Sequence, residues 1–319
     1  MEQQHPTDTT PRVLVTDGVH PLLLEGLTAA GYTCTYLPKI DLETTRQLVG
    51  EYQGIIINSK ILVDRAFLEG APYLKFIGRL GSGLEIIDLE AAREHQVAVI
   101  RAADGNCDAV AEHALGMLLS LANNLRQADQ QVRQFVWERE QNRGWELWGK
   151  TIGIVGFGYT GRAFAQRLAG FGMKILAYDK YKTNYATDLP QVQECSMDQL
   201  FAEAQILSLH LPATTETKGM ADEKYWKCFQ NQLVVVNTSR GNIVPTKDLV
   251  KALKEGRLKG ACLDVFENEK PITYNTEETA IFQQLFQQEN VLLSPHVAGW
   301  TSESKERLAK LLLHRIMKL

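Results

Sequence analysis

Three residues set the chemistry this chain can carry: Arg240 in NTSRGN (237–242), Glu269 in DVFENEKP (264–271) and His296 in SPHVAGW (294–300). An arginine clamps a carboxylate through two bonds, a histidine exchanges the proton of a hydroxyl, and a neighbouring glutamate raises that histidine's pKa toward working pH. Each residue alone has a plainer reading: a surface cation, a loop acid, a histidine satisfied in a loop. All three, however, follow strand-like apolar runs, as does SLHLPAT (208–214), and an open α/β sheet binds its ligand at such strand ends. Facing a nicotinamide, the set matches what interconversion of a 2-hydroxy acid and a 2-oxo acid requires. His113 in AVAEHALG reads as structural, and His210 reads as a residue beside the cofactor rather than the proton carrier.

The dinucleotide expectation rests on VGFGYTG (155–161), where Gly156, Gly158 and Gly161 fill GxGxxG between strand-like TIGIV and helix-like RAFAQRLAGFG. In that setting the first glycine makes the tight turn, the second admits a pyrophosphate close to the backbone, and the third lets helix and strand pack closely. The following run, KILAYD, ends in Asp179, placed to accept bonds from the adenosine ribose hydroxyls. A carboxylate there repels a 2'-phosphate, so NAD is favoured over NADP, with Lys180 and Lys182 acting the other way.

These residues need strands and crossover helices to position them. The N-terminal third alternates RVLVTD, LLLEGLTAAG, GIIIN, LKFIG and VAVI, the pattern of a parallel sheet covered on both faces. From about 106 to 140, AVAEHALGMLLSLANNLRQADQQVRQFVWERE reads as one long connector helix. A second series follows, with six strand-like runs: TIGIVGFG, KILAYDK, QILSLHLP, QLVVVNTSRG, KGACLDVFE and VLLSPHVAG. IFQQLFQQEN (281–290) reads as a short surface helix, and SESKERLAKLLLHRIMKL as an amphipathic tail helix packing back on the first domain. At 319 residues the chain exceeds what one core usually supports. Its 34 basic and 38 acidic side chains form no patch suited to nucleic acid. A polar opening and the lack of a long apolar run predict neither leader nor membrane span, hence a cytoplasmic protein. Five cysteines, scattered singly, suggest reduced thiols and no metal site.

Taken together, GRLGSGLEIID, AVAEHALGMLLSLANNLRQAD, GKTIGIVGFGYTGRAFAQRLAGFGMKILAYD, LHLPATTET, VVNTSRG, GACLDVFENE and SPHVAGWT resemble the D-isomer-specific 2-hydroxyacid dehydrogenase family over nearly the whole chain. The resemblance implies an α/β protein with two doubly wound parallel-sheet domains. A flavodoxin-like substrate domain (1–105 and 298–319) is interrupted by an inserted Rossmann NAD-binding domain (106–297), which explains a nucleotide loop in mid-chain. It further implies that Arg240 binds the substrate carboxylate, His296 is the acid-base and Glu269 its partner. Around Gly81, Ser82 and Gly83 the backbone N–H groups would meet the carboxylate, with Ser82 also near the cofactor, and Asn58 and Ser59 on the substrate side. Tyr159 and Thr160 would lie by the pyrophosphate, His210, Leu211, Thr238, Ser239 and Gly299 along the cofactor with Arg240 and His296, and Asp264 at the carboxamide. The connector helix resembles the family's dimer arm, so a homodimer acting on a small 2-oxo or 2-hydroxy acid is expected.

Three features depart from the family's commonest pattern. Asn58-Ser59-Lys60 stands where phosphoglycerate dehydrogenases place an arginine before the serine, which weighs against 3-phosphoglycerate unless Lys60 substitutes. Ile86 replaces a usual asparagine or histidine, and Lys270 separates Glu269 from Pro271, adding a cation beside the site. An alternative of another class is an NAD(H)-sensing, corepressor-like binding protein that retains the same three residues.

Overall fold

Strands form where β-branched residues run in short blocks between Gly, Asp and Asn breaks, and the computed structural model describes residues 10–319. The polar MEQQHPTDT opening, read as unlike a leader, lies outside the described residues. Two units divide the chain: the described residues up to Asn106 together with Thr301–Leu319, and Cys107–Trp300.

The first unit holds β1 (Arg12–Val15), β2 (Thr33–Tyr36), β3 (Gly54–Ile57), β4 (Phe76–Arg79) and β5 (Ala98–Arg101), all parallel in the order β2-β1-β3-β4-β5. That is the flavodoxin-like order. Side chains alternate between two apolar layers: Leu14, Ile55, Ile57 and Ile77 face one, while Val13, Val15, Ile56 and Phe76 face the other. The second layer is closed by the helix Ser302–Ile316 through Ala309, Leu312 and Ile316, beside Leu23 and Leu27 of the helix Pro21–Ala29.

In the second unit are β6 (Thr151–Val155), β7 (Lys174–Tyr178), β8 (Val192–Glu194), β9 (Ile206–Leu209), β10 (Leu233–Asn237), β11 (Leu258–Leu263) and β12 (Val291–Leu293). They form a parallel sheet ordered β12-β11-β10-β9-β6-β7-β8, a doubly wound Rossmann arrangement whose strand order reverses between β6 and β9. Along β10, Leu233 and Val235 enter one core and Val234 and Val236 the other. Every residue of this strand is therefore buried, and its sequence carries no alternation.

Two expectations are corrected here. The connector is not one helix: it breaks into Cys107–Ala122 and Leu125–Arg133, with Asn124 left-handed at φ 51° between them. Asparagine tolerates that conformation, and Trp145 N–H takes the freed Ala122 carbonyl at 2.9 Å. The second sheet has seven strands rather than six, because the polar edge strand Val192–Glu194 carries too little apolar signal.

Candidate active site

The glycine loop is built by contact rather than flexibility alone. Gly156 has φ 91°, and a Cβ there would lie 2.4 Å from the His210 carbonyl oxygen; at Gly161 it would lie 2.1 Å from the Gly156 oxygen. Larger residues would push the helix Tyr159–Leu168 off its strand. Gly158 differs, since a Cβ there meets nothing within 4 Å and faces open space. No side chain caps this helix at Gly158, whereas Asp64, Asp88, Ser196, Asp222, Asn275 and Thr301 cap others. Its first N–H groups thus carry no side-chain cap, the arrangement that suits an anion, beside the exposed Tyr159 and the half-buried Thr160.

Asp179 follows β7 and accepts from Phe157 N–H at 2.9 Å through Oδ2 and from Tyr181 N–H at 3.0 Å through Oδ1. Each oxygen keeps a second lone pair for a ribose hydroxyl. Across the switch point, His210 Nδ1 is buried without a partner and Nε2 lies 2.9 Å from Ser208 Oγ. Burial pushes His210 down to about 4, so its ring stays neutral at working pH. Leu211 is half-buried beside it, and Thr238 Oγ1, after β10, is a second buried atom without a partner. An uncapped helix, an open glycine, a ribose-directed carboxylate and two orphaned polar atoms on one sheet edge fit a dinucleotide.

On the same edge Asn237 organises the loop that carries Arg240. Its Oδ1 accepts from the Ser239 N–H and hydroxyl, and its amide donates to Arg240 O at 3.0 Å. A Cβ on the next residue, Gly241, would fall 1.9 Å from the Phe266 carbonyl carbon, so the loops after β10 and β11 are pressed backbone to backbone. This fixes Arg240 relative to Glu269.

Glu269 meets His296, its two carboxylate oxygens lying 2.8 and 3.0 Å from Nδ1. The hydrogen bond that His296 donates to Glu269 lifts the histidine above its ordinary value, against its partial burial and the Arg240 charge. For Glu269, partial burial pushes the carboxyl up, but the His296 hydrogen bond and the charges of His296 and Arg240 outweigh it and hold the group low. With Nδ1–H committed to Glu269, Nε2 is the nitrogen left to handle a substrate proton. Both side chains remain partly exposed, at 45% and 39%, and thus accessible to ligand.

His296 itself sits at φ 55°, a left-handed conformation that costs a β-carbon residue roughly 1–2 kcal/mol. The loop is held by Asp264, which is fully buried. Oδ1 accepts from Ser294 Oγ at 2.5 Å and Val297 N–H at 3.0 Å, Oδ2 from Ala298 N–H at 2.8 Å, and the Asp264 carbonyl takes His296 N–H at 2.7 Å. The Asp264 carboxylate thus holds the histidine loop from inside. His113 joins this network through Ser294 Oγ at 2.9 Å, and Gly299 lies just beyond it, half-buried.

The remaining expected residues gather on the other sheet. Asn58 and Ser59 follow β3, and Gly81, Ser82 and Gly83 follow β4. Arg79, not singled out from sequence, ties them together: its guanidinium donates to Asn58 Oδ1 at 2.6 Å, Leu80 O at 2.6 Å and Gly83 O at 3.1 Å. Its signal was a lone cation ending a buried strand. Lys60 Nζ donates to Pro38 O at 2.9 Å and lies 3.9 Å from Asp17. Among the described residues no group of three or more His, Cys, Asp or Glu side chains converges to hold a metal ion, and no helix is long and apolar enough to cross a membrane.

Comparison with known proteins agrees with this architecture. Residues 115–298 match the D-isomer specific 2-hydroxyacid dehydrogenase, NAD binding domain. The chain is 38% identical to a glyoxylate reductase of Thermococcus litoralis over 80% of its own length and 76% of that protein. It is 31% identical to a D-3-phosphoglycerate dehydrogenase of Archaeoglobus fulgidus over 97% of its length, but it spans only 57% of that relative. The D-lactate dehydrogenase of Aquifex aeolicus, solved with NAD and lactic acid, superposes with a TM-score of 0.82 at 26% identity, covering 96% of this chain and 94% of that one. With the match to its NAD-binding domain extending over more than half its length, the chain belongs to the D-isomer specific 2-hydroxyacid dehydrogenase family.

Proposed function

We propose that the protein is an NAD-dependent oxidoreductase that interconverts a small D-2-hydroxy acid and its 2-oxo acid, and that Arg240, Glu269 and His296 carry the reaction. The observation that bears most weight is the His296–Glu269 pair, at 2.8 Å, on the strand edge that carries the glycine loop. The nicotinamide, when bound, supplies or takes up the hydride at substrate C2. Arg240 binds the substrate carboxylate and draws electron density from the neighbouring carbonyl. In reduction, protonated His296 gives its Nε2 proton to the oxygen that becomes the hydroxyl; in oxidation, neutral His296 takes that proton back. Glu269 stabilises the imidazolium and fixes the ring. Gly81, Ser82 and Gly83 offer backbone N–H groups to the carboxylate, with Asn58 and Ser59 beside them. Tyr159 and Thr160 line the pyrophosphate, and Leu211, Thr238, Ser239 and Gly299 the rest of the cofactor.

Unphosphorylated acids of the glyoxylate and hydroxypyruvate size suit the site better than 3-phosphoglycerate. The only cation of the Asn58-Ser59-Lys60 segment is already bonded to Pro38 O and near Asp17. We further infer a homodimer, supported by exposed Leu125, Val132, Phe135 and Trp137 along and after the helix Leu125–Arg133. A cytoplasmic setting fits the five free cysteines. The test is NADH consumption, by nicotinamide absorbance, with glyoxylate, hydroxypyruvate, pyruvate, 2-oxoglutarate and 3-phosphohydroxypyruvate. Rapid turnover of one unphosphorylated acid to its D-hydroxy acid is expected. Tight NADH binding with no turnover would point instead to an NAD(H)-sensing protein.

A further inference from the structure

We propose that Glu216 determines the choice between NAD and its 2'-phosphorylated form, by neutralising Lys180, the residue that follows the ribose-binding acid in sequence. The inference rests on the placement of the adenosine ribose at Asp179. The loop after β7 opens with one acid and two cations, Asp179, Lys180 and Lys182. Left unpaired, the lysines would attract a 2'-phosphate and offset the repulsion from Asp179. Neither is left so. Lys182 Nζ donates to Phe157 O at 2.9 Å and lies 3.9 Å from Asp179 Oδ2. Lys180 Nζ forms an ion pair with Glu216, and Tyr181 Oη donates to the same carboxylate.

Glu216 comes from the loop after β9, on the far side of the strand-order reversal, so its carboxylate bridges the two loops that flank the adenosine end. That loop is built to present it. Thr214 and Thr217 bond each other's backbone N–H groups at 3.2 and 2.9 Å, and Thr217 Oγ1 donates to Pro212 O at 2.6 Å. On the facing loop, the Tyr181 N–H bond to Asp179 Oδ1 ties the clasp directly to the ribose-binding carboxylate. With Lys180 neutralised by Glu216, the Asp179 carboxylate is the charge a 2'-phosphate meets first. Being exposed, the Lys180–Glu216 pair adds little to stability. Its effect is on selectivity, where an uncompensated lysine several ångströms from a doubly charged phosphate matters more.

The experiment measures Kd for NADH and for NADPH by fluorescence titration on the wild-type protein, Glu216→Gln, Glu216→Gln combined with Lys180→Ala, and Asp179→Ala, with circular dichroism as the folding control. Glu216→Gln is expected to improve NADPH binding relative to NADH by roughly five- to tenfold, less at high salt. The double variant, with both charges gone, should return to within about twofold of the wild-type ratio. If Asp179→Ala shifts the ratio and Glu216→Gln does not, the role of Glu216 is overturned while the ribose placement stands. If Asp179→Ala also leaves it unchanged, the ribose does not lie at Asp179 and both fall. Retention of the gain in the double variant would also overturn the assignment, because Lys180 would not be its source.

Discussion

Replacing Asp264 by asparagine separates a loop-holding carboxylate from a ligand-binding one. Three donors converge on its two oxygens: Ser294 Oγ and Val297 N–H on Oδ1, and Ala298 N–H on Oδ2. An amide offers one oxygen and one NH2, so either orientation turns a donor toward a backbone N–H. With the residue fully buried, the stranded donor finds no water, at a cost of about 1–3 kcal/mol, and the surviving bonds lose their charge assistance. Removing a buried charge relieves desolvation, but that gain does not outweigh three donors already aimed at the site. The net loss is about 2–4 kcal/mol, read as a lowered urea midpoint by circular dichroism. Because the same loop holds His296 at φ 55°, kcat should fall at least roughly tenfold while KM for the oxo acid moves little. A stability change under about 0.5 kcal/mol, which is within the range of neutral surface substitutions, with unchanged kcat, would refute this reasoning.

Three further outcomes are expected. Arg240→Ala removes two charge-assisted bonds of roughly 1.5–3 kcal/mol each, so kcat/KM should drop by about two to four orders of magnitude, with KM raised and kcat lowered, in steady-state kinetics. In the proposed reaction reduction uses protonated His296, whose pKa is raised, so the reductive rate should hold at low pH and fall only as pH rises through a value above the ordinary 6.5, with oxidation showing the mirror profile. Glu269→Gln should move both profiles to lower pH. In linked stability the two groups act at opposite ends: the raised His296 contributes below 6.5 and is lost as pH rises through its folded value, while the depressed Glu269 contributes above 4.5 and is lost as pH falls through its own. Gly161→Ala places a carbon against the Gly156 oxygen, so it should cost about 1–3 kcal/mol in denaturant and weaken NADH binding in parallel.

Much of the fold was legible because parallel strands buried on both faces are written as unbroken apolar blocks; GIII and LVVVN need no partner to be recognised. The edge strand Val192–Glu194 escaped because only Val192 enters the core, and one buried residue makes no pattern. The break at Asn123-Asn124 escaped for another reason: helical spacing continues through it, and the left-handed Asn124 is held by tertiary contacts near Gly144 and Trp145. For the site, residue types at strand ends named candidates but not their contacts. Glu269 and His296 lie 27 residues apart, and only the neighbouring β11 and β12 bring their loops together. The loop-holding bonds of Asp264 were not legible, because an acid at a strand end looks the same whether it faces a ligand or folds inward over the next loop. Arg79 was missed because two of its three bonds go to backbone carbonyls, which carry no sequence signature.

The most direct test of the account is a paired measurement on the wild-type protein and His296→Ala: NADH affinity by fluorescence and turnover of the best 2-oxo acid. Turnover should fall by about two to four orders of magnitude, the range for a general acid, with NADH Kd nearly unchanged. Wild-type-like turnover by His296→Ala would contradict the assignment of the proton to this histidine.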